Sequence, residues 1–217
     1  MNRMDRSRRR FAMALAGMAG FVDAAGYLSA GGYFVSFMSG NTTRLGVALG
    51  TGAGAALPAL LIAGFVAGVT AGALVALRAG PWRKPAVLAL VALLLLGAGA
   101  MRAAHLHGAM LAMLVLAMGA LNNTFLRGGE VSVGLTYMTG ALVKIGQGIA
   151  QSLLGRGLLS RGQEAAWANW LLLWAGLLGG AVLGAWFQTR LPMACLWIAG
   201  GWATLMAALS LTLRAEG

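Results

Sequence analysis

The chain is predicted to be an all-α integral membrane protein of six spans, arranged as two inverted three-helix repeats. Three observations predict it. Of 217 residues, 59% are hydrophobic and only 10% charged, against about 25% charged in a soluble domain; mean hydropathy is +0.80. Six apolar stretches, 11–30, 57–77, 86–101, 108–126, 167–189 and 193–213, approach the length that crosses a hydrocarbon core of about 30 Å. None has a Lys or Arg in its interior. Finally, FVSFMSGNTTRLG at 34–46 returns as GLTYMTGALVKIG at 134–146.

Residues 1–10 form a basic N-terminus with five Arg (Arg3, Arg6, Arg8, Arg9, Arg10) that holds the start of the first span in the cytoplasm. SRRRFAM at 7–13 is similar to a twin-arginine export signal. Because 11–30 belongs to the repeat described next, its removal would break the symmetry, and it is expected to stay. The turn RAGPWRK at 78–84 carries Arg78, Arg83 and Lys84, and the later inner connections carry Arg127, Arg156, Arg161 and Arg214. The outer side keeps Arg102, Arg190 and, in the broken segment, Arg44. This cation bias predicts both termini in the cytoplasm. A net charge of +11 would suggest nucleic acid in a soluble protein; here the cations sit at span ends and reach headgroups. The expected partner is the lipid bilayer, not nucleic acid. Trp82, Trp167 and Trp170 fall near span ends, where aromatic belts form. The single cysteine, Cys195, lies in an apolar run and is expected to pack.

A shift of 100 residues aligns Phe37-Met38-Ser39-Gly40 with Tyr137-Met138-Thr139-Gly140, Arg44 with Lys144, and Asp23 with Asn123. A shift of 112 aligns Gly64, Gly68 and Gly72 with Gly176, Gly180 and Gly184, the extra twelve residues being the polar loop 155–166. Repeat 1 covers 11–104 with a broken segment at 34–50; repeat 2 covers 108–213 with a broken segment at 132–150. Three spans per repeat is odd, so the second copy enters the membrane from the opposite side. Were 34–50 to cross fully, each repeat would have four spans and the copies would be parallel, which moves Arg78, Arg83 and Lys84 outside. The two Gly ladders give smooth helix faces at the spacing that lets membrane helices approach closely. They are expected either to pack on each other or to form a homodimer face.

The Ser/Thr-Gly phrases should interrupt helices, with one ending near Phe37 and restarting near Thr42, Ser39 or Asn41 acting as N-cap, and the second breaking at Thr139-Gly140. Unpaired backbone at membrane depth survives only where protein or a wet cavity covers it, and broken helices in matching halves are where transporters bind solute. The candidate site therefore comprises Asp23, Ser39, Gly40, Asn41, Thr42, Arg44, Asn123, Thr139, Gly140, Lys144 and Gln147, with the two broken helices meeting near the midplane. Arg44 and Lys144, about one turn into the restarted helices, would favour an anionic group or simply reach to headgroups. Asp23, the one carboxylate inside a predicted span, would pair with Arg44 or carry a coupling proton or sodium. His105 and His107 are spaced i, i+2 with no acid nearby, so no metal site is expected. No catalytic motif or cofactor-binding pattern is present, and no enzyme activity is expected.

With these residues laid out, the chain resembles the bacterial YoaK-like membrane proteins of the domain-of-unknown-function family 1275. The resemblance rests on FVDAAGYLSAGGYFVSFMSGNTTRLG at 21–46 and GGEVSVGLTYMTGALVKIGQ at 128–147, through Asp23, Gly26, Phe34, Ser39, Gly40, Asn41, Thr42, Thr139, Gly140 and Gln147. It implies a multi-span inner-membrane protein and no particular function. The residues themselves point to transport of a small anion or zwitterion. The alternatives are a passive channel of the same fold and a non-transporting scaffold or lipid-binding protein.

Overall fold

Ala- and Leu-rich sequence forms helix readily, and the four prolines stand only where a helix tolerates them. Pro58 and Pro85 lie in first turns, Pro192 opens a helix, and Pro81 sits in a turn. The computed structural model describes residues 6–124, 126–127, 130–131, 138–154 and 164–215. Expectations placed on Arg3, Arg156, Arg161 and the 132–137 part of the second broken segment lie outside the described residues. The helices are α1 (Arg6–Ser29), α2 (Met38–Thr51), α3 (Ala56–Ala79), α4 (Arg83–Ala103), α5 (His107–Leu121), α6 (Met138–Leu153), α7 (Glu164–Arg190) and α8 (Pro192–Ala215). A minimal antiparallel hairpin pairs Leu126–Arg127 with Glu130–Val131.

Among the described residues four continuous runs are long and apolar enough to cross a membrane: Arg9–Ser29, Ala56–Ala103, Trp167–Arg190 and Pro192–Thr212. The second run contains α3 and α4, which fold back on each other through Gly80–Trp82, where Gly80 takes φ +50°. The stretch at 108–126 is shorter as a helix than expected: α5 stops at Leu121, and Asn122–Thr124 continue as a 3-10 turn. Together they rise about 28 Å at about 1.5 and 2.0 Å per residue. By the same measure the 14 residues of α2 and the 16 of α6 rise about 21 and 24 Å, short of the hydrocarbon core.

The most enclosed helices are the first of each half. Leu15, Met18 and Phe21 of α1 and Met110, Leu114, Met118 and Leu121 of α5 are fully buried. α1 packs on α7 and α5 on α3; α4 packs on α5 and α8 on α1; α4 also packs on α8. Exchanging the halves, so that α1, α2, α3 and α4 stand for α5, α6, α7 and α8, returns the same set of packed pairs. The glycine ladders make the two main crossings. A Cβ at Gly68 would collide with the Leu116 backbone and one at Gly72 with Ala120, on α5; a Cβ at Gly180 would collide with Gly17 and one at Gly184 with Phe21, on α1. Gly64 and Gly176 face Val115 and Met13. The ladders thus seat on the opposite half's first helix, not on each other as expected, because the matching smooth face of α1 (Gly17, Gly20) or α5 (Gly119) offers closer backbone approach.

Helices α2 and α6 dock through equivalent positions. Asn41 and Ala48 are the buried residues of α2, which packs on α3; Ala141 is buried and Gly148 abuts Trp167 where α6 packs on α7. The two broken segments were expected to meet, but each lies against its own half. Leu60, Leu77, Leu93 and Val182 leave an apolar outer surface suited to lipid.

Candidate functional site

The first break falls earlier than the Ser-Gly phrase. α1 ends at Ser29, and Gly31 and Gly32 turn the chain with φ +61° and +89°, a conformation glycine adopts without a Cβ penalty. The linker then folds back along α1, with Val35 fully buried. A Cβ at Gly26 would stand 2.7 Å from Val35 Cγ1, so a glycine there is what lets the linker close down. Its backbone is bonded by side chains. Asp23 Oδ1 accepts from Val35 N at 3.0 Å and Ser36 N at 2.8 Å. Asn41 Oδ1 accepts from Phe34 N at 3.1 Å while its Nδ2 donates to Phe34 O at 2.6 Å. Tyr27, Phe34 and Phe37 stack in sequence, with ring centroids 4.9 and 5.2 Å apart.

Helix α2 begins at Met38 with Phe37 at the cap position and no side-chain cap. Ser39, Gly40 and Asn41 are therefore inside the helix, not at a break, and Asn41 reaches back to the linker instead of capping. In the second phrase Thr139 and Gly140 likewise lie in the first turn of α6. Arg44 stacks on the Tyr33 ring at 4.8 Å. It makes no ion pair with Asp23, whose Oδ1 is engaged by the linker amides. Ser39 and Thr42 are exposed, with Thr42 Oγ1 donating to Met38 O. In the other half Asn123 is buried at the α3–α5 crossing, donating to Val69 O at 3.0 Å. Thr139, Gly140, Lys144 and Gln147 are exposed on α6. The structure thus joins Asp23 and Asn41 through one linker, whose Tyr33 carries Arg44, and keeps Asn123 and the 139–147 residues apart from them.

A family described as proteins of unknown function, DUF1275, matches residues 11–209. The chain belongs to this family. It is 39% identical, over 197 residues, to the UPF0700 transmembrane protein RA0705 of Rhizobium meliloti (strain 1021), covering 90% of this chain and 82% of that protein. No solved structure matches. With its long apolar helices, the chain is a membrane protein.

One polar cluster of this DUF1275 protein was not legible in the sequence. Ser29, Arg102 and Gln188 stand at the ends of three different helices and bond one another. Each alone reads as a residue at a span end, and Arg102 reads as a cation reaching to headgroups; the chain signals nothing of its burial. Cys195 is fully buried, its Sγ 3.9 Å from Gly184 O.

Proposed function

We propose that this protein moves a small anionic or zwitterionic solute across the bacterial inner membrane, using six spans in two inverted three-span repeats with both termini in the cytoplasm. The observation that carries this reading is the folding back of residues 30–37 over a carboxylate inside the first helix, with Asp23 holding the Val35 and Ser36 amides. Helix interruption at such a place is characteristic of transporter sites, where non-helical backbone lines a covered or wet cavity. The closed set of helix pairs under exchange of halves supports the repeat, and three spans per half invert the second copy. The cationic turn around Arg78, Arg83 and Lys84 supports the orientation.

In this reading Asp23 is the coupling site for a proton or sodium. Neutralising it weakens its grip on the linker amides, so charge state and linker geometry are coupled. Arg44 is the solute-facing cation, with Ser39, Gly40, Asn41 and Thr42 on its helix. Lys144, Thr139, Gly140 and Gln147 offer the equivalent surface of α6, and Asn123 braces the central crossing. A scaffold built on a dry Asp23–Arg44 pair is not supported, since the two are unpaired.

The test is a thermal-shift screen of purified protein against small anions and amino acids, in which a ligand at a hundred times its dissociation constant stabilises by about 2.7 kcal/mol. Hits go into proteoliposome uptake under imposed proton or sodium gradients. Saturable, gradient-driven uptake should fall by about 10-fold or more in folded Asp23→Asn and Arg44→Gln variants. Uptake indifferent to both variants sinks the reading; uptake that neither saturates nor follows a gradient marks a channel.

A further inference from the structure

At one end of the bundle, the C-terminal ends of α1, α4 and α7 and the first residue of α8 surround Arg102, which is only 8% exposed. Its guanidinium has five N–H donors. Nε faces Met110 Sδ at 3.3 Å, Nη1 donates to Gln188 Oε1 at 2.6 Å and Pro192 O at 2.7 Å, and Nη2 donates to Ser29 Oγ at 2.6 Å. Gln188 Nε2 also donates to Ser29 Oγ, which itself donates to Ala25 O, so the hydroxyl is saturated and the cluster is held in one arrangement. Every partner is neutral. The negative ends of three helix dipoles make the buried charge tolerable without cancelling it, and one Nη2 N–H remains outside these bonds.

Beside this cation lies a cavity of about 240 Å³ lined by Ser29, Arg102, His105, His107, Gln188 and Pro192, with Met193 at its edge. Both histidines that line it are exposed. His105 takes φ +59° just after α4, where its N–H and that of Leu106 bond the Arg102 and Met101 carbonyls and turn the chain into α5. Among the described residues no carboxylate lines the cavity.

We infer that this cavity is a binding site for a phosphate-type oxyanion, either free phosphate or the phosphate of an anionic lipid headgroup. Arg102 supplies a fixed positive charge and its one remaining Nη2 N–H, and His105 and His107 line the pocket. The site is separate from the Asp23 linker and does not depend on the transport reading.

Two probes separate the sources: inorganic phosphate titrated into delipidated protein at constant ionic strength against chloride, and native mass spectrometry of protein extracted from vesicles containing phosphatidylglycerol. The variants are Arg102→Lys and, because the buried position can fail to fold, the double variant His105→Gln/His107→Gln. A saturable phosphate-dependent rise in Tm, with apparent affinity at least about 10-fold weaker in the double variant, assigns the site to a free oxyanion. Retained phosphatidylglycerol that the double variant loses assigns it to lipid. No saturable binding of either probe by the wild type overturns the inference, as does binding that the double variant retains in full.

Discussion

At matching positions 100 residues apart, Asp23 holds two amides of the linker that follows α1, whereas Asn123 donates to Val69 O of α3. The contrast repeats at the start of the short helices. Asn41 clamps Phe34 through both atoms of its amide, while its counterpart Ala141 is simply buried. Yet the crossings that build the bundle are shared: the α3 ladder on α5 and the α7 ladder on α1 use glycines at the same spacing. Packing is thus carried in both halves, while the linker clamp seen among the described residues belongs to the first. Both halves must keep their smooth faces, whereas a second carboxylate inside a helix would add desolvation cost without adding structure.

The comparison is broken most severely at the ladders. Gly180→Leu and Gly68→Leu should each cost about 3 kcal/mol or more, because the obstructing atoms are backbone and cannot swing aside; loss of the monodisperse folded species on size exclusion reads this. If only one of the pair is damaging, the packing is not shared. Gly46→Ala and Gly146→Ala, where nothing stands within 4 Å, are the matched controls and should stabilise or leave Tm unchanged, within about 1 kcal/mol. Next comes Asp23→Leu, which strands two amides and should cost about 3 kcal/mol, with Asp23→Asn about half of that because an oxygen acceptor remains. Asn123→Leu removes one cross-helix bond and should cost about 1 kcal/mol. Asn41→Ala should cost about 1–2 kcal/mol and speed protease cleavage within 30–37, while Ala141→Asn should bring no gain. The smallest effect is Arg9→Gln, which weakens a single 3.0 Å bond to Asn169 Oδ1 and should shift stability by about 0.5 kcal/mol.

The all-helical membrane character was legible because the pattern is written in the letters themselves: long apolar runs, sparse charge, and prolines only where helices begin. Asp23 was legible as exceptional for the same reason, being a carboxylate among apolar neighbours. Its partners were not, since backbone amides have no letter, and Arg44 was the only visible complement. The break was misplaced because Ser39-Gly40-Asn41 carries the residue types of an interruption, while Gly31-Gly32, eight residues earlier, supplies the positive φ that makes one. The ladders announced a smooth face but not what would lie on it; close approach is decided by the opposing backbone, here Gly17 and Leu116. Arg102 looked like any cation at a span end because burial by four separate segments is a tertiary fact.

The pairing of α1 with α7 has a consequence in time. Arg9 and the Asn169 it bonds are 160 residues apart in the chain, so at about 5–20 residues per second of synthesis the first helix waits about 8–32 s for its main neighbour. Through that interval it must sit in the membrane with its glycine face bare and a carboxylate partway along it. The linker meets the second difficulty early. Once Ser36 has been made, Val35 and Ser36 can close over Asp23 using only residues already present, and the nascent helix carries a covered charge until the last third of the chain arrives to cover the rest.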